Sequence, residues 1–154
     1  MAIATERKNP YSVFNFTVEC KDRSFEGGFS EVSGLDTEQG VIEYRTGEEE
    51  TVMHKLPGLR KHANLVLKRG IVGKLGLMKW REEVSSGEVE KARSDVTVHL
   101  CNEKHEKVVT WTIRNAWPVK WVGPSLAASK NETAVETLEL AHEGIKMETQ
   151  GQTG

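Results

Sequence analysis

The chain has 154 residues, 37% of them hydrophobic, and its 21 lysines and arginines nearly balance 23 aspartates and glutamates for a net charge of −2. That length suits a single domain, 1–154, with its own core, and that composition excludes a disordered or fibrous chain. The charge balance argues against a dedicated nucleic-acid or anionic-membrane binder, and no apolar run approaches the ~20 residues of a membrane-spanning helix.

The N-terminus lacks the apolar stretch of a secretory leader. Residues 1–10 are polar and end in Asn9-Pro10, which predicts an arm or turn. Phe14, Phe16, Val18 and Cys20 alternate with polar residues, the period of a half-buried strand. Residues 21–24 form a turn, and FEGGFSEVSGL (25–35) is a glycine-interrupted strand pattern. Val41, Ile42 and Tyr44 continue the β character. Residues 45–58, rich in charge and closed by Pro57-Gly58, are expected to form a long loop. Asn64–Arg69 is a further strand. One helix is predicted over about 74–86, where Leu77, Trp80 and Val84 share a face, Leu75 and Met78 widen it, and Gly87 sits at the C-terminal cap. Two alternating runs, 95–101 and 109–113, form a hairpin around a polar turn. NAWPVKWVGP (115–124) holds two prolines and is expected at a corner or sheet edge. Local composition over 132–147 favours helix, although Leu138, Leu140 and His142 also alternate as in a strand, and 148–154 is a polar, flexible tail.

No HExxH, phosphate-loop, GxGxxG or GxSxG pattern occurs, which argues against an enzyme. The best metal candidate is His99, Cys101 and His105, a ligand set zinc accepts but without an evident fourth donor; as a bland alternative, His99 and Cys101 merely share a strand face. The two cysteines, Cys20 and Cys101, form no CxxC pair and fit reduced thiols in a cytosol-made protein. The stretch 52–74 carries six cations and no acid, and its Gly70-Ile71-Val72-Gly73 faintly matches an RNA-clamping loop. Its plainer reading is a solvated face. Glu48-Glu49-Glu50 directly precede it: either a hydrated tip, or a cluster that draws an external cation. Trp80 and Trp111 lie on apolar faces and read as packing residues, whereas Trp117 and Trp121 are candidate interface aromatics.

Five blocks occur in a distinctive order: FNF (14–16), FEGGFSEVSGL (25–35), KLPGLRKHANLVLKRG (55–70), NAWPVKWVGP (115–124) and ETLELAHEGI (136–145). Over about residues 10–147 the chain resembles the tail tube proteins of contractile phages and of phage-tail-like contractile injection systems, including extracellular ones. The resemblance implies a mainly β barrel or sandwich with one flanking helix, related to the type VI secretion ring protein. It implies six copies in a ring, rings stacked into a hollow tube inside a sheath, and a lumen that conducts cargo. Baseplate and tube-terminating cap proteins would be further partners. It implies strand rather than helix for 132–147, no cofactor, and no stable membrane insertion of the monomer. Assembly would occur in the cytoplasm, with an assembled phage-tail-like particle, released from the cell in the extracellular systems, as the final site. The long loop of the family contributes contacts between subunits and rings, and here it corresponds to Arg45, Glu48, Glu49, Glu50, Lys55, Leu56 and Pro57. Two alternatives stay open: a tube-initiating baseplate ring protein of the same family, and a small RNA-binding module using the 52–74 stretch.

Overall fold

The structure is a computed structural model that describes residues 9–23, 28–45, 47, 52–73 and 75–149. The described elements run β1 (Phe16–Cys20), β2 (Glu31–Ser33), β3 (Thr37–Tyr44), β4 (His54–His62), β5 (Leu65–Gly70), α1 (Gly76–Ser85), α2 (Val89–Ala92), β6 (Ser94–Cys101), β7 (Lys107–Val122), β8 (Val135–Ala141) and β9 (Ile145–Thr149).

The long strand β7 serves two sheets. Its first half pairs with β6, which continues to β1, and over Val109–Ile113 it also pairs with β9. Its second half, Trp117–Val122, pairs with β8, which continues to β5 and β2. The strand turns between the sheets at Asn115, whose φ of 50° is a left-handed conformation that a short polar side chain tolerates. The Asn115 amide donates to Asp95 Oδ1 at 3.0 Å, and its Nδ2 donates to Glu143 Oε2 at 2.7 Å. Opposite this bend the chain breaks between β8 and β9, where the Arg114 amide donates to the Gly144 carbonyl at 2.9 Å.

The core lies between the sheets. Leu65, Leu67, Val96, Ile113, Leu138 and Leu140 are fully buried, and α1 lays Leu77 and Trp80 onto them. The Trp80 Nε1–H donates to the Ala92 carbonyl at 2.6 Å, which ties α1 to α2. The mainly β class and the flanking helix agree with the sequence reading, though α1 is shorter than predicted and α2 was not foreseen.

Several boundaries differ from expectation. The loop predicted over 45–58 ends early, because Lys55, Leu56 and Pro57 belong to β4 and pair opposite Glu43, Ile42 and Val41. Charge and the Pro-Gly pair conceal a strand there; a register shift between Gln39 and Val41 brings Gly40 and Gly58 backbone to backbone. The corner in NAWPVKWVGP is confined to Asn115. Pro118 stays within β7 because the register shifts between Pro118 and Lys120, so its missing N–H interrupts no regular ladder. The segment 132–147 holds β8 and the start of β9 and no helix, so it is strand-forming, as the resemblance implies and local composition does not. Glu148 and Thr149, assigned to the tail from sequence, complete β9 opposite Thr110 and Val109.

Candidate assembly interface

Neither sheet closes on itself. Among the described residues the outer sides of β1, β2 and β9, and one side of the second half of β7, have no strand neighbour. Such borders present rows of unpaired backbone donors and acceptors that invite further strands.

The β3–β4 ribbon is the least self-sufficient part. Among the described residues the two strands pair with each other and with no other strand. Ile42 lies opposite Leu56, and Tyr44 stacks on His54 with ring centroids 5.2 Å apart, which builds an apolar and aromatic face. Yet Val41, Ile42, Leu56 and Leu59 are all exposed, Leu59 at 85%. An isolated two-stranded ribbon is at best marginally stable in water, and no other described strand covers this one.

Among the concavities formed by the described residues, two lie beside the open borders and the bend. One is an apolar cleft of about 620 Å³ between the β1 and β2 borders, lined by Phe16, Phe29, Val32, Leu35, Leu100 and Trp111. Phe14 stands at its rim, 77% exposed. The other, about 480 Å³, sits at the β7 bend beside the ribbon's root and carries Arg60, Arg114 and Lys146 together with Glu143. Glu143 receives hydrogen bonds from Asn115 and Arg93, and these hold its carboxyl below the ordinary value.

At the same root, the His142 Nε2–H donates to the Ala63 carbonyl at 2.9 Å, while its Nδ1 accepts the Gly144 amide proton at 3.2 Å. The His62 ring stands 5.4 Å away. Burial lowers the His142 pKa from its ordinary 6.5; the Ala63 bond opposes this and His62 adds to it. The unfolded chain therefore takes up this proton first as pH falls. Its contribution is intact above about pH 6.5 and is lost on descent towards the lower folded value. Acidification from about pH 7.5 to 5.5 should lower the urea midpoint, and His142→Gln should flatten that slope. An unchanged slope in the variant would refute the assignment.

The other sequence-derived candidates are placed as follows. Glu48, Glu49 and Glu50 lie outside the described residues. Arg45 follows β3 directly, and Lys55, Leu56 and Pro57 line the ribbon. Trp117 is half-buried on β7. Trp121 packs against the core and donates from Nε1 to Glu136 Oε2 at 3.1 Å, so its role inside this chain is packing. The metal candidates do not converge. His99 bonds Thr110 at 2.9 Å, Cys101 is buried, and His105 bonds Asn15. Among the described residues no three His, Cys, Asp or Glu side chains could hold a metal ion. The basic stretch is largely matched across strands: Lys68 pairs with Glu31 at 3.2 Å and Arg69 with buried Glu136 at 2.5 Å. Sequence reasoning missed the pocket at the bend, because its cations come from three separate strands. No described helix is long and apolar enough to cross a membrane.

An open-edged two-sheet β fold with a flanking helix and an uncovered ribbon defines a class of protein completed by assembly. The chain belongs to the family described as T4-like virus tail tube protein gp19, which it matches over residues 12–146. It is similar, with a TM-score of 0.82 and 32% identity over 92% of this chain and 93% of the other, to a protein of an extracellular contractile injection system, the PVC sheath-tube complex in the extended state. It is similar, at 0.82 and 31% over 97% and 99%, to a protein in the anti-feeding prophage (AFP) tube terminating cap. A chain of the 6-fold symmetrised AFP baseplate aligns at 0.79 and 26% over 95% and 100%. Hcp1 from Flavobacterium johnsoniae shares the fold at 0.56 and 15%, over 87% and 94%. No curated protein matches the chain. The chain is thus a homologue of the structural tube, cap and baseplate proteins of contractile injection systems.

Proposed function

We propose that this chain is the subunit of the inner tube of a contractile injection system or phage tail. Six copies close a ring, and rings stack into a hollow tube that is driven through a target envelope and conducts cargo. Its work is mechanical, not catalytic. A sheath surrounds the tube, with a baseplate at one end and a terminating cap at the other. The protein is made in the cytoplasm and ends in the assembled particle.

The observation that carries this reading is the β3–β4 ribbon, which among the described residues is exposed on both faces and paired with neither sheet. A neighbouring copy would cover its apolar face, and strands from neighbours would extend the open borders into one continuous barrel. A head-to-tail contact repeated by rotation closes a ring. The segment that links β3 to β4 in sequence, from Arg45 through Glu48, Glu49 and Glu50, would reach the next ring, and Trp117 would lie near a subunit seam. A tube-initiating ring is the rival within the family; the higher identity to the sheath-tube chain than to the baseplate chain favours the main tube.

Electron microscopy of the purified protein should show six-fold rings and tubes, and a protein that stays monomeric under all conditions would overturn the proposal. Reversing Glu48, Glu49 and Glu50 to lysine should leave rings intact and shorten tubes, measured as the length distribution in negative stain. Tubes of normal length would remove these charges from the stacking contact.

A further inference from the structure

We infer that His142 is an acid-released pin at the neck of the β3–β4 ribbon. Neutral, it holds the ribbon at one angle to the sheets; a second ring proton frees the ribbon, so mild acid takes apart what the ribbon joins. The link to assembly rests on the tube reading, whereas the pin itself is a property of the single chain.

The ribbon meets the rest of the chain through two links, 34–36 before β3 and Ala63-Asn64 after β4. They touch at Gly34, whose φ is 88° and where a Cβ would stand 2.1 Å from the Asn64 carbonyl oxygen. Polar side chains fasten this neck to the body. Asn64 Nδ2 donates to Glu139 Oε1 at 2.9 Å, and His142 Nε2–H donates to the Ala63 carbonyl at 2.9 Å. The corner that carries His142 is tied to the β7 bend: the Glu143 amide donates to the Arg114 carbonyl at 3.0 Å, and the Arg114 amide to the Gly144 carbonyl at 2.9 Å. His142 therefore bridges the neck of the ribbon and the bend between the sheets.

Its partners fix the role of each ring nitrogen. A carbonyl can only accept, so Nε2 carries the proton; the Gly144 amide can only donate, so Nδ1, 3.2 Å from it, must be bare. Neutral imidazole in this one tautomer satisfies both. A second proton goes to Nδ1 and sets N–H against N–H, so the ring has to turn from Gly144 and Nε2 moves with it. The His62 ring stands 5.4 Å away, and its buried Nδ1 has no hydrogen-bond partner among the described residues. On one side of His62 stand Arg60, Arg114, Lys146 and Glu143, and on the other Asp36, Glu38 and Lys61. The carboxylates nearest the ring are engaged, Glu143 by Arg93 and Asn115 and Glu139 by Asn64, so none of their contacts is made to the imidazolium. Burial outweighs the opposing Ala63 bond, so release comes below the ordinary 6.5. The exposed Ile42, Leu56 and Leu59 reach a neighbour in register only from a ribbon held at one angle, and ordering a freed ribbon costs entropy at every contact.

The test measures the ribbon and the rings separately. Nitroxides on Leu59→Cys in the ribbon and Lys104→Cys in the β6–β7 turn, both exposed, report the ribbon's angle by electron–electron resonance on dilute chain, and buried Cys20 and Cys101 stay unlabelled. One narrow distance is expected at about pH 7.5 and a broad spread at about pH 5.5, with far-UV circular dichroism unchanged. His142→Gln, which keeps a donor and an acceptor but takes up no proton, should stay narrow at both; His142→Ala should be broad at both. In unlabelled protein the same acidification should cut ring yield at least about tenfold in the wild type and leave His142→Gln unaffected. A distance that stays narrow in acid, or broadens equally in His142→Gln, would overturn the pin. So would global unfolding of the wild type over this range, or a response abolished by His62→Gln and retained in His142→Gln. Wild type that forms no rings at either pH would overturn the tube reading, and the distances on the single chain would still decide the pin.

Discussion

Replacing Trp80 with alanine is expected to lower stability by about 3–5 kcal/mol, the range for removing a fully buried large aromatic. Trp80 has no exposed surface and lies with Leu77 on the face that α1 turns to the sheets. The Arg23 guanidinium stands 5.0 Å from its ring centroid and also pairs with Glu83, so the same ring anchors the turn after β1. Its indole N–H satisfies the Ala92 carbonyl, which would be left without that donor. A thermal melt should show a fall of about 10 °C for a chain of this size. Trp80→Phe keeps most of the volume and loses that one hydrogen bond, so it should cost only about 1–3 kcal/mol. Equal losses in the two variants would mean that the hydrogen bond, not the ring volume, holds the helix in place.

The second large effect lies at the end of the β7–β8–β5 sheet. Arg69 and Glu136 are register partners on β5 and β8, both buried, with Nε and Oε1 2.5 Å apart. Trp121 donates to the second carboxylate oxygen, and the Phe29 ring lies 6.0 Å from the guanidinium carbon. Removing one charge strands the other in a low-dielectric setting, at a cost of about 3–5 kcal/mol. Arg69→Met alone should therefore be severe. Arg69→Met with Glu136→Leu should recover most of the loss, less about 1–3 kcal/mol for the indole N–H left unpaired. Urea denaturation of the four proteins gives the coupling directly. A single-mutant loss below about 1 kcal/mol would show that water compensates the stranded charge.

Both sites bear on how far the chain can be read without coordinates. Trp80 was assigned to an apolar helix stripe because helical spacing is local: Leu77, Trp80 and Val84 share a face wherever the helix lies. The sequence does not pair Arg69 with Glu136. They are 67 positions apart, and a charged residue inside an alternating run gives no sign of which strand will neutralise it. The helical composition of 132–147 misled for a related reason. β8 is paired on both sides, by β5 and β7, and those non-local ladders override a local preference for helix. Lys55, Leu56 and Pro57 were hidden in an expected loop because their partners depend on a register shift at Gly40.

By itself the sequence determined the β-rich class, the single longer helix with its buried face, the order of blocks that marks the family, and the separation of three glutamates from a basic stretch. These are properties of neighbouring residues, and the 2.0 and 3.6 periodicities or plain adjacency carry them. Only the tertiary structure decided that β7 bends at Asn115 to serve two sheets, that their borders stay open, and that Arg60, Arg114 and Lys146 gather into one pocket. Those outcomes depend on backbone pairing between strands far apart in the chain, whose partners and registers are chosen by the fold as a whole.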